Sequence, residues 1–184
     1  MNVVPLLVAS IVLAIGCKKT EPPPPPAASA PASTPAPSGL LTVGAAAPDF
    51  AARDAAGKVV HLHDFKDKPR VVYFYPKDGT PGCTQEAQAF RDSDAKFRDK
   101  GVVVFGVSRD TEESHAEFRA AHGLPFPLAA DPDGVIQKAY GVPDMGMPLA
   151  ARTSFLVGKD GRVEQVFENV DPTNHANDVL ALIH

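Results

Sequence analysis

Cys83 is the residue whose neighbours point most directly to chemistry. It stands in Tyr75-Pro76-Lys77-Asp78-Gly79-Thr80-Pro81-Gly82-Cys83-Thr84, where an apolar, β-branched and aromatic run ends, turn formers follow and a helical pattern begins. A helix N-terminus offers unpaired backbone N–H groups and the positive end of the helix dipole, both of which favour a thiolate over a thiol. The thiolate is the nucleophile. The only other cysteine, Cys17, lies in a region of different texture, so the pair does not read as a disulfide framework.

Other candidate groups carry less. His61 and His63 alternate along one strand face, but no third ligand is spaced near them in the sequence, so they read as solvent-facing and no metal is assigned. Asp131-Pro132-Asp133-Gly134 lacks the downstream glutamate that completes a calcium loop and reads as a turn before a helix. Met145 and Met147 flank a glycine in a loop, where oxidation-sensitive gap filling or loop packing is a better account than a cofactor role. No cofactor is implied.

The elements that must position Cys83 follow from periodicity. Residues 70–76 and 102–107 read as buried strands. Between them, residues 84–99 place Ala87, Phe90 and Phe97 at helical spacing, so strand, helix and strand form a right-handed parallel crossover. Asp110 with Glu113 forms a capping-box pattern, from which a second helix with Phe118 and Ala121 on one face runs to His122-Gly123. A strand over 127–130, a short helix over 134–140 and a hairpin of 154–157 with 162–167 turning at Lys159-Asp160-Gly161 come next. Asp171-Pro172 opens a last helix reaching Ile183. With a weaker extended pair over 49–62, this order predicts an α/β/α sandwich around a mixed central sheet, which a thioredoxin-like core fits.

At 184 residues, 44% of them hydrophobic, the chain holds one domain, expected over 40–184. The formal charge of −4 gives no sign of nucleic-acid binding. Residues 3–16 are apolar and uncharged, about the length of a signal-peptide core and short of a spanning helix. Residues 1–17 are read as an export signal whose end, Leu13-Ala14-Ile15-Gly16-Cys17, resembles a bacterial lipobox, making Cys17 a lipidated anchor. Ala14 departs from the usual Leu at that place, and the start lacks Lys or Arg. Eight of the nineteen prolines crowd into 18–39, a Pro/Ala-rich linker that stays extended and solvated. The expectation is a bacterial envelope protein, tethered to a membrane by its N-terminal lipid with the domain in the periplasm or outside.

Pro76, Thr80 and Cys83 resemble the peroxiredoxin signature Pro-x-x-x-Thr-x-x-Cys, and Arg152-Thr153-Ser154-Phe155 resembles the family's Arg-Ser/Thr-Thr/Ser-Phe element. The likeness spans nearly all of residues 43–184, including Gly44-Ala45-Ala46-Ala47-Pro48-Asp49-Phe50 and Gly106-Val107-Ser108-Arg109-Asp110, and points to the bacterioferritin-comigratory, or Q, subfamily. It implies a thiol-dependent peroxidase that reduces hydrogen peroxide and organic hydroperoxides through a Cys83 sulfenic acid. In that reading Pro76 shields the cysteine, the Thr80 hydroxyl bonds sulfur and peroxide, Arg152 reaches both from a neighbouring strand, and Glu86 orients Arg152. Many subfamily members carry a resolving cysteine five residues on, where this chain has Gln88. The cycle implied is therefore one-cysteine, with an external reductant of thioredoxin, glutaredoxin or low-molecular-weight-thiol type, in a monomer or weak homodimer. Rival classes are a tethered disulfide reductase, which needs a second cysteine where Glu86 stands, and a non-catalytic binding module.

Overall fold

The computed structural model describes residues 39–183. The segment read as an export signal, with Cys17, and nearly all of the linker lie outside the described residues. Among those described, no helix is long and apolar enough to cross a membrane.

Seven strands form one sheet in the order β2-β1-β5-β4-β3-β6-β7. The central strand β3 (Arg70–Phe74) runs parallel to β4 (Val103–Ser108), which runs parallel to β5 (Leu128–Ala130). On its other side β3 pairs antiparallel with β6 (Thr153–Val157), which turns into β7 (Val163–Glu168). The weaker pair is an antiparallel hairpin of β1 (Ala51–Arg53) and β2 (Val59–His61), attached through β1 to β5. The sheet is mixed and flanked by helices on both faces, as expected.

All five residues of β3 are buried, and their alternation divides two cores. Val71 and Tyr73 face helices α1 (Pro81–Asp92), α2 (Asp94–Asp99), α3 (Glu112–His122) and α5 (His175–Leu182), in a core with Phe90, Phe97, Phe118 and Val179. Val72 and Phe74 face the other side, with Leu41, Phe50, Phe105, Tyr140 and Phe155, next to α4 (Val135–Ala139). Tyr73 stacks on Phe90 at 4.7 Å, and truncating such a fully buried aromatic costs about 3–5 kcal/mol. Gly106 in β4 makes room for that stack: a Cβ there would come within 2.9 Å of the Tyr73 ring.

Several boundaries differ from the sequence reading. The first crossover helix begins at Pro81, not Thr84, because proline suits the first helical position, where its missing N–H is not needed. It breaks at Ser93, which ends α1 and opens α2. The α3 cap is Thr111, whose side chain accepts from Ser114 N–H, not Asp110, whose carboxylate is taken by other donors. Ala121 is exposed, and the buried face of α3 is His115, Phe118 and Arg119. The last helix starts at His175, after a turn in which Asp171 accepts from Thr173 N–H. Asp131 does open a helix, its two carboxylate oxygens accepting from Ile136 and Gln137 N–H. Met145 and Met147 fill no gap; they are 59% and 62% exposed.

Candidate active site

Cys83 is the third residue of α1, in the first turn of the helix that follows the loop after β3. Thr80 is the helix N-cap, and the first helical bond runs from Thr84 N–H to Thr80 C=O at 2.8 Å. The N–H groups of Gly82 and Cys83 therefore precede the intrahelical ladder and point from the helix's positive end. The thiol is free, and the Cys83 residue is buried, 1% exposed.

Arg152, immediately before β6, reaches across from the neighbouring strand and places Nη2 3.5 Å from Cys83 Sγ. Its Nη1 donates to Glu86 Oε2, and the other oxygen of Glu86 accepts from His175 Nδ1 at 2.8 Å. Glu86 and His175 are both fully buried. Burial opposes the charge on Arg152, but Glu86 and Cys83 outweigh it and hold the guanidinium above its ordinary pKa, so it is a permanent cation beside the sulfur. Gly82 lines this contact: a Cβ there would lie 3.3 Å from Arg152 Nη2 and 3.7 Å from Pro172.

The loop between β3 and α1 is pinned from below. Asp78 accepts from Tyr75 hydroxyl, Ser114 hydroxyl and His115 Nδ1, each at 2.8 Å, while its own N–H donates to Asp110 at 2.9 Å. Burial pushes the Asp78 carboxyl up, but His115, by hydrogen bond and charge, together with Tyr75 and Ser114 holds it below the usual carboxylate range. Asp110 also accepts from the Ser108 hydroxyl at the end of β4. The loop is thus clamped to the two strands and the helix that flank it.

The structure brings Thr80, Cys83, Glu86 and Arg152 into one place, with Pro76 half-buried at the exit of β3. The Thr80 hydroxyl donates to Lys77 C=O at 3.0 Å, so it does not donate to the sulfur, and toward Cys83 it has only acceptor capacity. Gln88 is turned toward His122, 3.5 Å away, and its α1 position offers no thiol. His175, Asp78 and His115 carry no sequence signal, because their partners lie 89 and 37 residues apart in the chain.

Residues 43–166 match the AhpC/TSA family model. Peroxiredoxin Q of Sedum lineare, a chloroplast protein, is 43% identical over 145 residues, 78% of each chain. Its counterpart in Oryza sativa subsp. japonica is 42% identical over 147 residues, 79% of this chain and 68% of the relative. Among solved structures, the bacterioferritin comigratory protein of Xanthomonas campestris superposes with a TM-score of 0.68 at 34% identity, over 73% of this chain and 89% of that one. The mixed sheet with its flanking helices is the thioredoxin-like fold of these peroxiredoxins. The chain belongs to the AhpC/TSA family, in its peroxiredoxin Q branch, and is a thiol-dependent peroxidase.

Proposed function

We propose that Cys83 is the attacking thiol and that it works through a one-cysteine cycle. The observation that carries this reading is the Arg152 guanidinium 3.5 Å from a sulfur on the first turn of α1, fixed in place by a buried carboxylate. The Cys83 thiolate attacks the near oxygen of a hydroperoxide; an S–O bond forms, the O–O bond breaks, and the sulfur is oxidised by two electrons to a sulfenic acid. The departing oxygen leaves as water or an alcohol after taking a proton. Negative charge grows on it in the transition state, and Arg152 and the first-turn N–H groups are fixed donors aimed at such charge, an arrangement that lowers barriers strongly. Thr80 serves by accepting from the peroxide O–H, as its acceptor lone pairs allow, and Pro76 shields the sulfur.

Alkyl hydroperoxides are assigned as substrates alongside hydrogen peroxide, in keeping with the alkyl peroxide reduction activity described for the Xanthomonas campestris relative. With glutamine at position 88, an external thiol attacks the sulfenic sulfur, releases water and leaves a mixed disulfide that a second thiol resolves. A cysteine only 1% exposed admits a peroxide more easily than a protein thiol, so this step requires local opening of the first turn of α1. When reductant is scarce, a second peroxide oxidises the sulfenic acid to the sulfinic acid. We further propose that residues 1–17 direct export, that Cys17 carries a lipid, and that residues 18–39 tether the domain up to roughly 70 Å from the membrane.

The test follows peroxide consumption by the full chain with dithiothreitol, beside Cys83→Ser and Arg152→Ala. Wild type turns over and Cys83→Ser does not; Arg152→Ala loses about 10²-fold or more in kcat/KM, the cost of removing a fixed transition-state donor. Turnover that survives Cys83→Ser would remove Cys83 from the reaction.

A further inference from the structure

Three side chains converge at the end of β3 remote from Cys83. Asp49 precedes β1, His61 ends β2, and His63 lies in the short 3-10 turn Leu62–Phe65 that follows. Their meeting is a product of pairing that the spacing of His61 and His63 does not announce: β1 and β2 run antiparallel with Ala51 opposite His61, which returns the chain to Asp49. Leu62 N–H donates to Phe50 C=O at 3.0 Å and His63 N–H to Asp49 Oδ1 at 2.9 Å. Those two backbone bonds fix the carboxylate. Its other oxygen, Oδ2, faces both rings, hydrogen-bonded to His63 Nδ1 at 2.6 Å and 3.8 Å from His61 Nδ1. The imidazoles stack with centroids 5.1 Å apart and planes at 28°, and one ligand atom from each of the three residues lies within 4.8 Å of the others.

We propose that Asp49, His61 and His63 bind a redox-inert borderline divalent cation of the Zn²⁺ class, with water completing the coordination. Zinc bonds of about 2.0–2.2 Å to nitrogen and oxygen, at tetrahedral angles, put neighbouring ligand atoms about 3.4 Å apart. The His61 distance of 3.8 Å is a few tenths of an ångström from that value. The His63 distance of 2.6 Å opens when the metal replaces the bridging proton, and the exposed His63 ring is free to move. Two imidazoles and one carboxylate favour zinc and its neighbours over magnesium or calcium, which take oxygen ligands. Asp49 is already oriented by a backbone N–H, and Asp64 lies 3.5 Å from the far nitrogen of His63, the kind of supporting contact that aligns metal-bound imidazoles. Lys66, Arg70 and Lys159 line the adjoining recess and work against a cation there, opposed by Asp160 in the same lining.

Arg70, at the start of β3, borders this recess, whereas Cys83 lies beyond the other end of that strand, whose five residues span about 16 Å. A cation here ties the β1–β2 hairpin to the turn after it and leaves the peroxide site untouched. The test is calorimetric titration of the full chain with Zn²⁺ in mild detergent, repeated with His61→Gln and His63→Gln. Cobalt substitution reports the donors. One equivalent is expected to bind, with at least tenfold weaker affinity in each variant, a cobalt spectrum without a thiolate charge-transfer band, and a Zn²⁺-dependent rise in Tm that both variants lose. Peroxidase activity of His61→Gln and His63→Gln equal to wild type shows that the variants are folded. No saturable binding, binding unchanged by the variants, or a thiolate band that accounts for all bound cobalt would each overturn the proposal.

Discussion

Glu86 and Asp49 each hold a histidine ring at hydrogen-bond distance, 2.8 Å for His175 and 2.6 Å for His63, yet the two pairs lie in opposite surroundings. Glu86 is sealed in the core with His175 and the Arg152 guanidinium, whereas the Asp49 pair sits in water at the sheet edge. Removed from water, the Glu86 carboxylate needs both partners, and in exchange it holds Arg152 against Cys83. Asp49 is screened and its histidine partners are largely exposed, so it fixes little by itself and remains open to a competing ligand. The same residue types thus give rigid positioning in one place and a ligand-ready surface in the other.

Removing the central member of each arrangement separates them. Glu86→Ala leaves His175 and Arg152 without their carboxylate in the core, and denaturant unfolding is expected to show a loss of about 3–5 kcal/mol. Stability close to wild type would mean that the pair is solvated. Asp78→Asn comes next: the loss of charge-assisted bonds to His115, Tyr75 and Ser114 costs about 1.5–3 kcal/mol at neutral pH. Because the folded pKa of Asp78 is depressed, its contribution is complete above the unfolded value of about 3.9 and is lost as pH falls through the lower folded value. The wild-type stability curve therefore drops more steeply than the variant's below about pH 4, and parallel curves would contradict the assignment.

Gly82→Ala is a smaller disturbance, since a Cβ 3.3 Å from Arg152 Nη2 displaces the guanidinium by tenths of an ångström. A rate loss of about tenfold or less is expected in peroxide assays, below the 10² or so that a full 1 Å misplacement brings. His63→Ala, in the absence of added metal, should leave Tm unresolved from wild type by scanning calorimetry, as suits an exposed pair. A clear destabilisation would make the edge cluster structural and weaken the contrast with Glu86.

Much of this was legible in the sequence because it is local. The continuous apolar run of residues 70–76 and the helical spacing of Ala87, Phe90 and Phe97 set the central crossover, whereas Arg152 was placed beside Cys83 only by the family resemblance, the two lying 69 residues apart. Pro81-Gly82 looks like loop by turn propensity, yet α1 starts at Pro81, three residues before Thr84, because proline suits a first helical position. What the sequence did not show is long-range: His175 beneath Glu86, His115 beneath Asp78, and Asp49 beside His61 and His63. Each pairing is made by the sheet order or helix packing, which bring together side chains that no spacing rule connects.

The most direct test of the central claim is the oxidation state of Cys83 in the full chain after one equivalent of hydrogen peroxide without reductant, trapped with dimedone and located by peptide mass spectrometry. The expected result is a sulfenic acid adduct at Cys83, with Arg152→Ala labelled far more slowly under the same conditions. A folded protein whose Cys83 remains a thiol while peroxide persists would contradict the account.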